Sequence, residues 1–167
     1  MKIQTINELN TYFDPGVGHA KGRGKKILNR SEVIVCTNDN IKNIVYQEIE
    51  RLGDEADLNH LDVSKVTNME GLFERSDFNG NISNWDVSNV ENMNSLFWAT
   101  PFNQDISQWD VSKVKDMGNM FYYSNFNQDI SKWNVSNVEN MYSMFDHSPF
   151  NQDISQWDVS CVNNMDW

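Results

Sequence analysis

The chain has 167 residues, of which 39% are hydrophobic and 12% aromatic, enough apolar material for one folded domain and too much for a disordered tail. Its formal net charge of −11 argues against a general binder of nucleic acid or of anionic membranes. No stretch approaches the ~18 apolar residues of a membrane span, and the first residues lack an apolar signal core, so we expect a cytoplasmic protein.

Residues 1–60 are predicted to form an N-terminal α/β cap that contains a strand and an amphipathic helix. The β-branched run 31–36 favours the strand. Asp39 or Asn40 can begin the helix, and Gly53 is a typical stop signal. The apolar positions of this helix recur at helical spacing and are Ile41, Ile44, Val45, Ile49 and Leu52.

Two further features precede the predicted strand. Thr5 and Glu8 are typical of the start of a short amphipathic helix that would end near Phe13. Residues 18–26 are basic and glycine-rich but lack the GxxxxGK[ST] spacing of a phosphate loop. A surface loop and an anion contact both remain open for this basic stretch.

Residues 61–167 are built from a 24-residue repeat, with four full units and a partial fifth. Tryptophan, valine, serine, methionine and phenylalanine keep the same register from unit to unit, which chance does not produce. The tryptophan slot holds Leu61 in the first unit and then Trp85, Trp109, Trp133 and Trp157. Because every unit repeats these side chains, we predict that the Trp, Met and Phe rows form the core.

Each unit has the pattern of a strand, a short helix and a turn. In the second unit, Trp85 and Val87 alternate with polar residues as in a strand, and Ser88 and Glu91 have the spacing of a capping box. The following apolar residues lie at helical spacing: Val90, Met93, Leu96 and Phe97. Stacking such units predicts an α/β fold, a right-handed leucine-rich-repeat-like solenoid with a parallel strand ladder at roughly 5 Å spacing.

The motif Phe-Asn-Gln-Asp-Ile-Ser-x-Trp-Asp-Val-Ser-x-Val, present from Phe102 to Val114, resembles the BspA-like or DUF285 family of bacterial repeat proteins. The segment 56–69 is similar to the usual entry to that repeat, and the resemblance covers residues 56–167. It implies a leucine-rich-repeat-like solenoid, frequently on bacterial surfaces, with adhesion or partner binding as its proposed role. No catalytic activity is attached to the family.

Acidic residues follow the tryptophan slot and form a predicted acidic ladder: Asp62, Asp86, Asp110 and Asp158, with Asn134 in the fourth unit. Carboxylates roughly 5 Å apart repel by about 1 kcal/mol per pair in water. Either they bond to turn backbone, or they form a strip that binds a partner with a basic surface. The whole net charge lies in the repeat region and the segment just before it, since residues 56–167 hold sixteen acidic and five basic side chains.

Asn-Gln-Asp triplets recur at residues 103–105, 127–129 and 151–153. We predict that they satisfy the backbone of turns, with the asparagines bonding from unit to unit. A ladder of bound calcium is the alternative, although the glycine-rich nonapeptide of calcium-binding β-rolls is absent.

Aromatic residues at variable positions form a predicted aromatic ridge: Trp98, Tyr122, Tyr123 and Tyr142. Other units place Glu74, Arg75, Asp146 or His147 at equivalent or adjacent positions just after the predicted helix. A slot that tolerates charge is not part of the core, and exposed Trp and Tyr are favoured binding anchors. The ridge therefore predicts a protein-binding surface.

No catalytic or metal site is indicated. The three histidines occupy unrelated slots, and Cys36 and Cys161 lack ligand spacing and are expected to be free thiols. The leading hypothesis is a non-enzymatic protein-interaction module without a cofactor, which binds neither nucleic acid nor membrane directly. The alternative is an acidic mimic of nucleic acid that inhibits a bacterial nuclease or another nucleic-acid enzyme. The edge of the last unit is a candidate for self-association.

Overall fold

The computed structural model describes residues 33–166. The short helix predicted from Thr5 to Phe13 and the basic stretch 18–26 lie outside the described residues, as does the start of the strand predicted at 31–36.

The cap begins with strand β1, Ile34–Val35, and helix α1, Ile41–Leu52, and strand β2, Leu61–Asp62, follows in the first repeat unit. β1 and β2 pair in parallel, so that backbone hydrogen bonds join the cap to the first unit. Within the cap, Glu48 connects α1 to the segment just before β2, because its Oε2 lies 2.9 Å from Nε2 of His60 while it also pairs with Arg51.

Helix α1 confirms the predicted helix and its stop. Gly53, at φ +92°, donates its N–H to the carbonyl of Ile49 at 2.7 Å. Asn40 is the N-cap residue, but its side chain does not bond into the helix and instead accepts the N–H of Thr37 at 2.7 Å. Ile41, Ile44 and Val45 are buried in the same core as the repeats, whereas Leu52, at the end of the apolar pattern, is exposed.

Successive units are joined by parallel bridges between residues 24 positions apart, which link Asn68, Asn92, Asp116, Asn140 and Asn164 in one row. In the segment that follows each bridge residue, alternate backbone N–H groups of one unit donate to carbonyls of the next unit. In the first junction the donors are Met69, Gly71, Phe73 and Arg75, and the acceptors are Asn92, Asn94, Leu96 and Trp98, at 2.8 to 3.0 Å. The same pattern recurs in the next two junctions.

Turns stand where the sequence predicted a strand and a short helix inside each unit. At the start of the second unit, Trp85 N–H donates to the Ile82 carbonyl of the first unit at 3.1 Å, and within the second unit Leu96 N–H donates to the Met93 carbonyl at 3.2 Å. Ser95, between the last two, has φ +56°, which is typical of a type II turn and interrupts a helix. Within residues 56–166, a strand stands at the predicted position in the first unit alone, where it is the two-residue strand β2.

The predicted capping box is also absent from this segment. Ser88 Oγ donates to Asp86 Oδ1 at 2.6 Å, and the Glu91 carboxylate accepts a hydrogen bond from Lys115 Nζ at 2.7 Å. The physical reason is the pairing between units. A backbone N–H that donates to the neighbouring unit is not available to the carbonyl four residues earlier, so an α-helix cannot form at the same time.

The tryptophan and phenylalanine rows form the core, which confirms that prediction. Trp85, Trp109 and Trp133 are buried, and each indole Nε1–H donates to the carbonyl of the residue 27 positions earlier at 3.0 to 3.3 Å. The methionines of the repeat are buried as well, except Met165 in the last unit, which is exposed. Trp157 and Phe145, in the last units, are only partly buried.

The two cysteines are free, as predicted, and differ in exposure. Burial and the nearby Asp62 carboxylate raise the pKa of Cys36 to about 12, so its thiol is protonated at neutral pH. We expect a disulfide reagent such as DTNB, at about pH 8, to label one thiol in the native protein and two in denaturant. A Cys161→Ser variant should then stay unlabelled until it unfolds. Rapid labelling of that variant would contradict the buried position of Cys36.

Candidate binding surfaces

The carboxylates of the acidic ladder bind the backbone of their own units. Oδ1 of each accepts the N–H two residues later at 3.0 to 3.1 Å, with Asp62, Asp86, Asp110 and Asp158 bound to Ser64, Ser88, Ser112 and Ser160. Asn134 makes the same bond to Ser136 at 3.2 Å. These are Asx turns, in which the side chain takes the place of a backbone acceptor. The ladder therefore has the backbone-bonding role that was one of the two interpretations left open.

The Asn-Gln-Asp triplets also satisfy turn backbone and bond from unit to unit, as predicted. Asp105 Oδ1 accepts the Ser107 N–H at 2.9 Å, and Asp129 and Asp153 repeat this contact. The backbone N–H of Asn103, Asn127 and Asn151 donates to the side chain of the asparagine one unit earlier at 2.9 to 3.0 Å. In residues 33–166, no group of three or more His, Cys, Asp or Glu side chains is arranged to hold a metal ion.

These turns make stability depend on pH. Hydrogen bonds from the Ser112 hydroxyl and N–H lower the pKa of Asp110, and equivalent bonds lower the pKa of Asp62 and Asp158. A carboxyl whose pKa is lower in the folded state stabilises the fold above its unfolded pKa and loses that contribution as pH falls through its folded pKa. Urea midpoints should therefore be level from about pH 7 to 5 and fall below about pH 4.

An Asp110→Asn variant is the matched control, since Asn134 shows that an amide closes the same turn. We expect it to be nearly as stable as the wild type at neutral pH and to lose less stability in acid. An acid response identical to that of the wild type would show that Asp110 does not contribute to it.

Three residues of the predicted aromatic ridge lie together across two adjacent units. The ring centroids of Trp98 and Tyr122 are 6.0 Å apart, and Tyr123 packs edge-on against Tyr122 at 4.7 Å. They line an open groove of about 530 Å³, here called the aromatic groove. Its lining residues are Arg75, Trp98, Ala99, Thr100, Pro101, Tyr122, Tyr123 and Asn125. Tyr142, the fourth residue predicted for the ridge, is exposed but does not line the groove.

The backbone between units holds these side chains in rows. Ala99 N–H donates to the Tyr122 carbonyl at 2.8 Å, and Tyr123 N–H donates to the Asp146 carbonyl at 3.0 Å. Ala99 and Tyr123 have φ values of +53° and +54°, in the left-handed region. Arg75 and His147, at the same slot, have φ values of +55°, so this conformation is a feature of the turn in each unit.

Two side chains of the cluster were not among the predicted site residues. The Arg75 guanidinium carbon lies 4.5 Å from the centroid of the Trp98 ring, and the His147 ring stacks on Tyr123 at 4.2 Å. Both occupy the slot that Ala99 and Tyr123 occupy in their own units. Since equivalent slots of neighbouring units are adjacent, aligning this slot across all units would have found them.

The electrostatics of the groove depend on partial burial and on nearby acidic groups. Burial, Tyr123 and the Asp146 carboxylate raise the pKa of Tyr122, so its hydroxyl remains a hydrogen-bond donor at neutral pH. At one end of the cluster Glu74 Oε1 lies 3.8 Å from Arg75 Nε, and at the other end Asp146 Oδ1 lies 2.8 Å from His147 Nδ1. The groove thus offers aromatic faces and hydroxyls between these two ends.

The sequence profile described as "Mycoplasma protein of unknown function, DUF285" matches residues 39–147 and, in a second match, residues 102–167. The chain belongs to the DUF285 family. Together the two matches cover α1 and the whole repeat region of this DUF285 protein. Comparison with curated proteins and with solved structures gave no match. Residues 33–166 contain no helix with the length and apolar character needed to cross a membrane.

Proposed function

We propose that this DUF285 protein is a non-enzymatic interaction module, folded as a right-handed leucine-rich-repeat-like solenoid, that binds a protein partner. The aromatic groove is the observation that carries the proposal. Trp98, Tyr122 and Tyr123 are held in a partly exposed cluster at slots that the fold does not require to be aromatic. Trp and Tyr are enriched among the residues that contribute most to protein interfaces.

The acidic ladder supports a partner with a basic surface. Asp86, Asp110 and Asp158 are exposed, so their charges face solvent even though each Oδ1 is bound to turn backbone. Attraction between such charges and a basic partner increases the rate of association and is weakened by salt. We therefore assign the groove the main contribution to affinity and the ladder a contribution to steering.

Mutation of the groove should separate binding from folding. We expect Trp98→Ala and Tyr122→Ala each to weaken capture of a partner from the source lysate by about tenfold or more, because both remove groove side chains. Tyr46→Ala is the control, since Tyr46 is an exposed aromatic residue of α1 outside the groove. A partner that binds the two groove variants as tightly as the wild type would contradict the assignment.

The ladder is tested with Asp86→Asn and Asp110→Asn, because charge reversal would also remove the acceptor of an Asx turn. We expect these variants to slow association at low salt with little change at high salt.

Size-exclusion chromatography of the pure protein tests the predicted self-association through the last unit, where Val159 and Met165 are exposed.

The alternative function, inhibition of a nucleic-acid enzyme by mimicry, is favoured by one observation. Residues 56–167 hold sixteen acidic and only five basic side chains. An inhibitor of this kind would bind a basic enzyme, lose affinity steeply with salt and be displaced by oligonucleotide. If such an enzyme is captured and the Trp98→Ala variant binds it as tightly as the wild type does, inhibition by mimicry would replace the groove-based proposal.

A further inference from the structure

The same backbone relation occurs twice beside the aromatic groove, once with a long cationic side chain and once with a short one. Arg75 N–H donates to the Trp98 carbonyl at 2.8 Å, and Ala99 N–H donates to the Tyr122 carbonyl at 2.8 Å. Arg75 and Ala99 have φ values of +55° and +53°. Ala99 therefore has the same backbone position relative to Tyr122 that Arg75 has relative to Trp98.

In the first of these pairs the aromatic ring is covered by a cation. The Arg75 guanidinium carbon lies 4.5 Å from the Trp98 ring centroid, within the range of a cation–π contact. In the second pair Ala99 ends at Cβ and cannot reach across the Tyr122 ring. The aromatic groove lies at this position, and its lining includes Ala99, Tyr122, Arg75 and Tyr123.

The surroundings of the open position favour a positive charge. Residues 56–167 carry a large excess of acidic side chains, and Asp146, which is close to Tyr122, also lies 2.8 Å from Nδ1 of His147. The positive charge of Arg75 is offset by the Glu74 carboxylate, 3.8 Å from Nε. Asn125, in the lining, supplies a side-chain carbonyl that can accept a hydrogen bond from a bound cation.

We propose that the groove binds an arginine side chain of the partner, which takes at Tyr122 the position that Arg75 takes at Trp98. This inference rests on the proposed function and names the partner's chemistry. The ring spacing of 6.0 Å between Trp98 and Tyr122 leaves no room for a guanidinium between them, so the arginine lies on the outward face. Arginine suits such a site better than lysine, because its planar guanidinium stacks on aromatic faces.

The test uses two fluorescein-labelled peptides, one with three arginines separated by glycines and one with citrulline, the neutral isostere, in their place. Fluorescence anisotropy at about 0.15 M salt should show the arginine peptide binding about tenfold more tightly. Ala99→Arg should weaken binding of the arginine peptide by a similar factor, because the protein's own new arginine side chain would cover the Tyr122 ring. Tyr46→Arg is the charge-matched control and should bind normally, since it adds the same positive charge at an exposed position of α1 outside the groove.

A second variant makes the opposite prediction and does not depend on a loss of function. Arg75→Ala uncovers the Trp98 ring, so this variant should bind the arginine peptide at least as tightly as the wild type. Near-ultraviolet circular dichroism of each variant confirms folding. Ala99→Arg is expected to fold, because Arg75 has the same backbone conformation at the equivalent slot.

Equal affinity for the arginine and citrulline peptides would overturn the inference. Binding that is unchanged by Ala99→Arg and reduced by Asp86→Asn would also overturn it and place the arginines on the acidic ladder. A protein partner that requires Trp98 and Tyr122, together with an arginine peptide that does not bind, would overturn this inference and leave the proposed function standing.

Discussion

Replacing Phe97 by alanine is expected to lower the free energy of unfolding by about 4 kcal/mol, the usual cost of removing a phenylalanine from a close-packed core. Phe97 is fully buried and packs against four other aromatic rings, three of them phenylalanines and the fourth Trp109. Its ring centroid is 3.9 Å from that of Phe102, 5.5 Å from that of Phe73 and 5.7 Å from that of Phe121. The substitution would therefore open a cavity that touches three consecutive units.

Phe145→Ala is the matched control for this prediction. Phe145 has the same slot and stacks on Phe121 at 5.7 Å and on Phe150 at 4.0 Å, but it is only partly buried. We expect it to cost about half as much, because less surface leaves water when it packs. Guanidinium unfolding followed by circular dichroism measures both. Equal losses would contradict the difference in burial between the two positions.

Gly80→Ala is expected to destabilise the protein by about 3 kcal/mol or more, through a steric clash with backbone. A Cβ at this position would lie 2.1 Å from the carbonyl oxygen of Ala56 and 2.8 Å from its nitrogen. These atoms cannot move apart freely, because Asn81 N–H donates to the Ala56 carbonyl at 3.0 Å and Leu58 N–H donates to the Asn81 carbonyl at 2.9 Å. Gly80 thus permits the close approach of the segment before the first unit to the end of the first unit.

Gly118→Ala is the control for this clash. Its added Cβ would meet the side-chain nitrogens of Asn140 at 2.7 Å and Asn94 at 2.9 Å, which can rotate away. The same slot holds Asn94 and Tyr142 in neighbouring units, so the backbone there accommodates a side chain. We expect a loss of about 1 kcal/mol in the same unfolding experiment. If Gly118→Ala costs as much as Gly80→Ala, backbone contact is not the cause.

The two predicted binding surfaces differ in how their residues relate to the repeat. The ladder aspartates occupy a slot that is nearly invariant, and their hydrogen bonds explain why every unit needs an acceptor there. The groove residues occupy slots that change from unit to unit, and Trp98, Ala99 and Tyr122 are not required by the turns that hold them. Repetition therefore indicates a structural role, and variation indicates where a specific contact can be built.

Much of this protein could be predicted from its amino-acid sequence. The period of 24 residues, the buried Trp, Met and Phe rows, the bonding of Asn103 to the preceding unit and the bounds of α1 all follow from side-chain type and spacing. These features depend on which side chains avoid water and which can close a turn. Both are properties of each residue and its near neighbours in the chain.

The form of the backbone inside each unit was decided by tertiary structure. Buried residues such as Met93, Leu96 and Phe97 have the spacing of a helical face, but two consecutive four-residue turns give the same spacing. Whether a helix or a pair of turns forms depends on whether the Phe97 N–H finds an acceptor in its own segment or in the next unit. Here it donates to the Met120 carbonyl, in the next unit, at 2.9 Å. The guanidinium of Arg75 over Trp98 arises in the same way, because only the stacking of units brings residues 23 positions apart into contact.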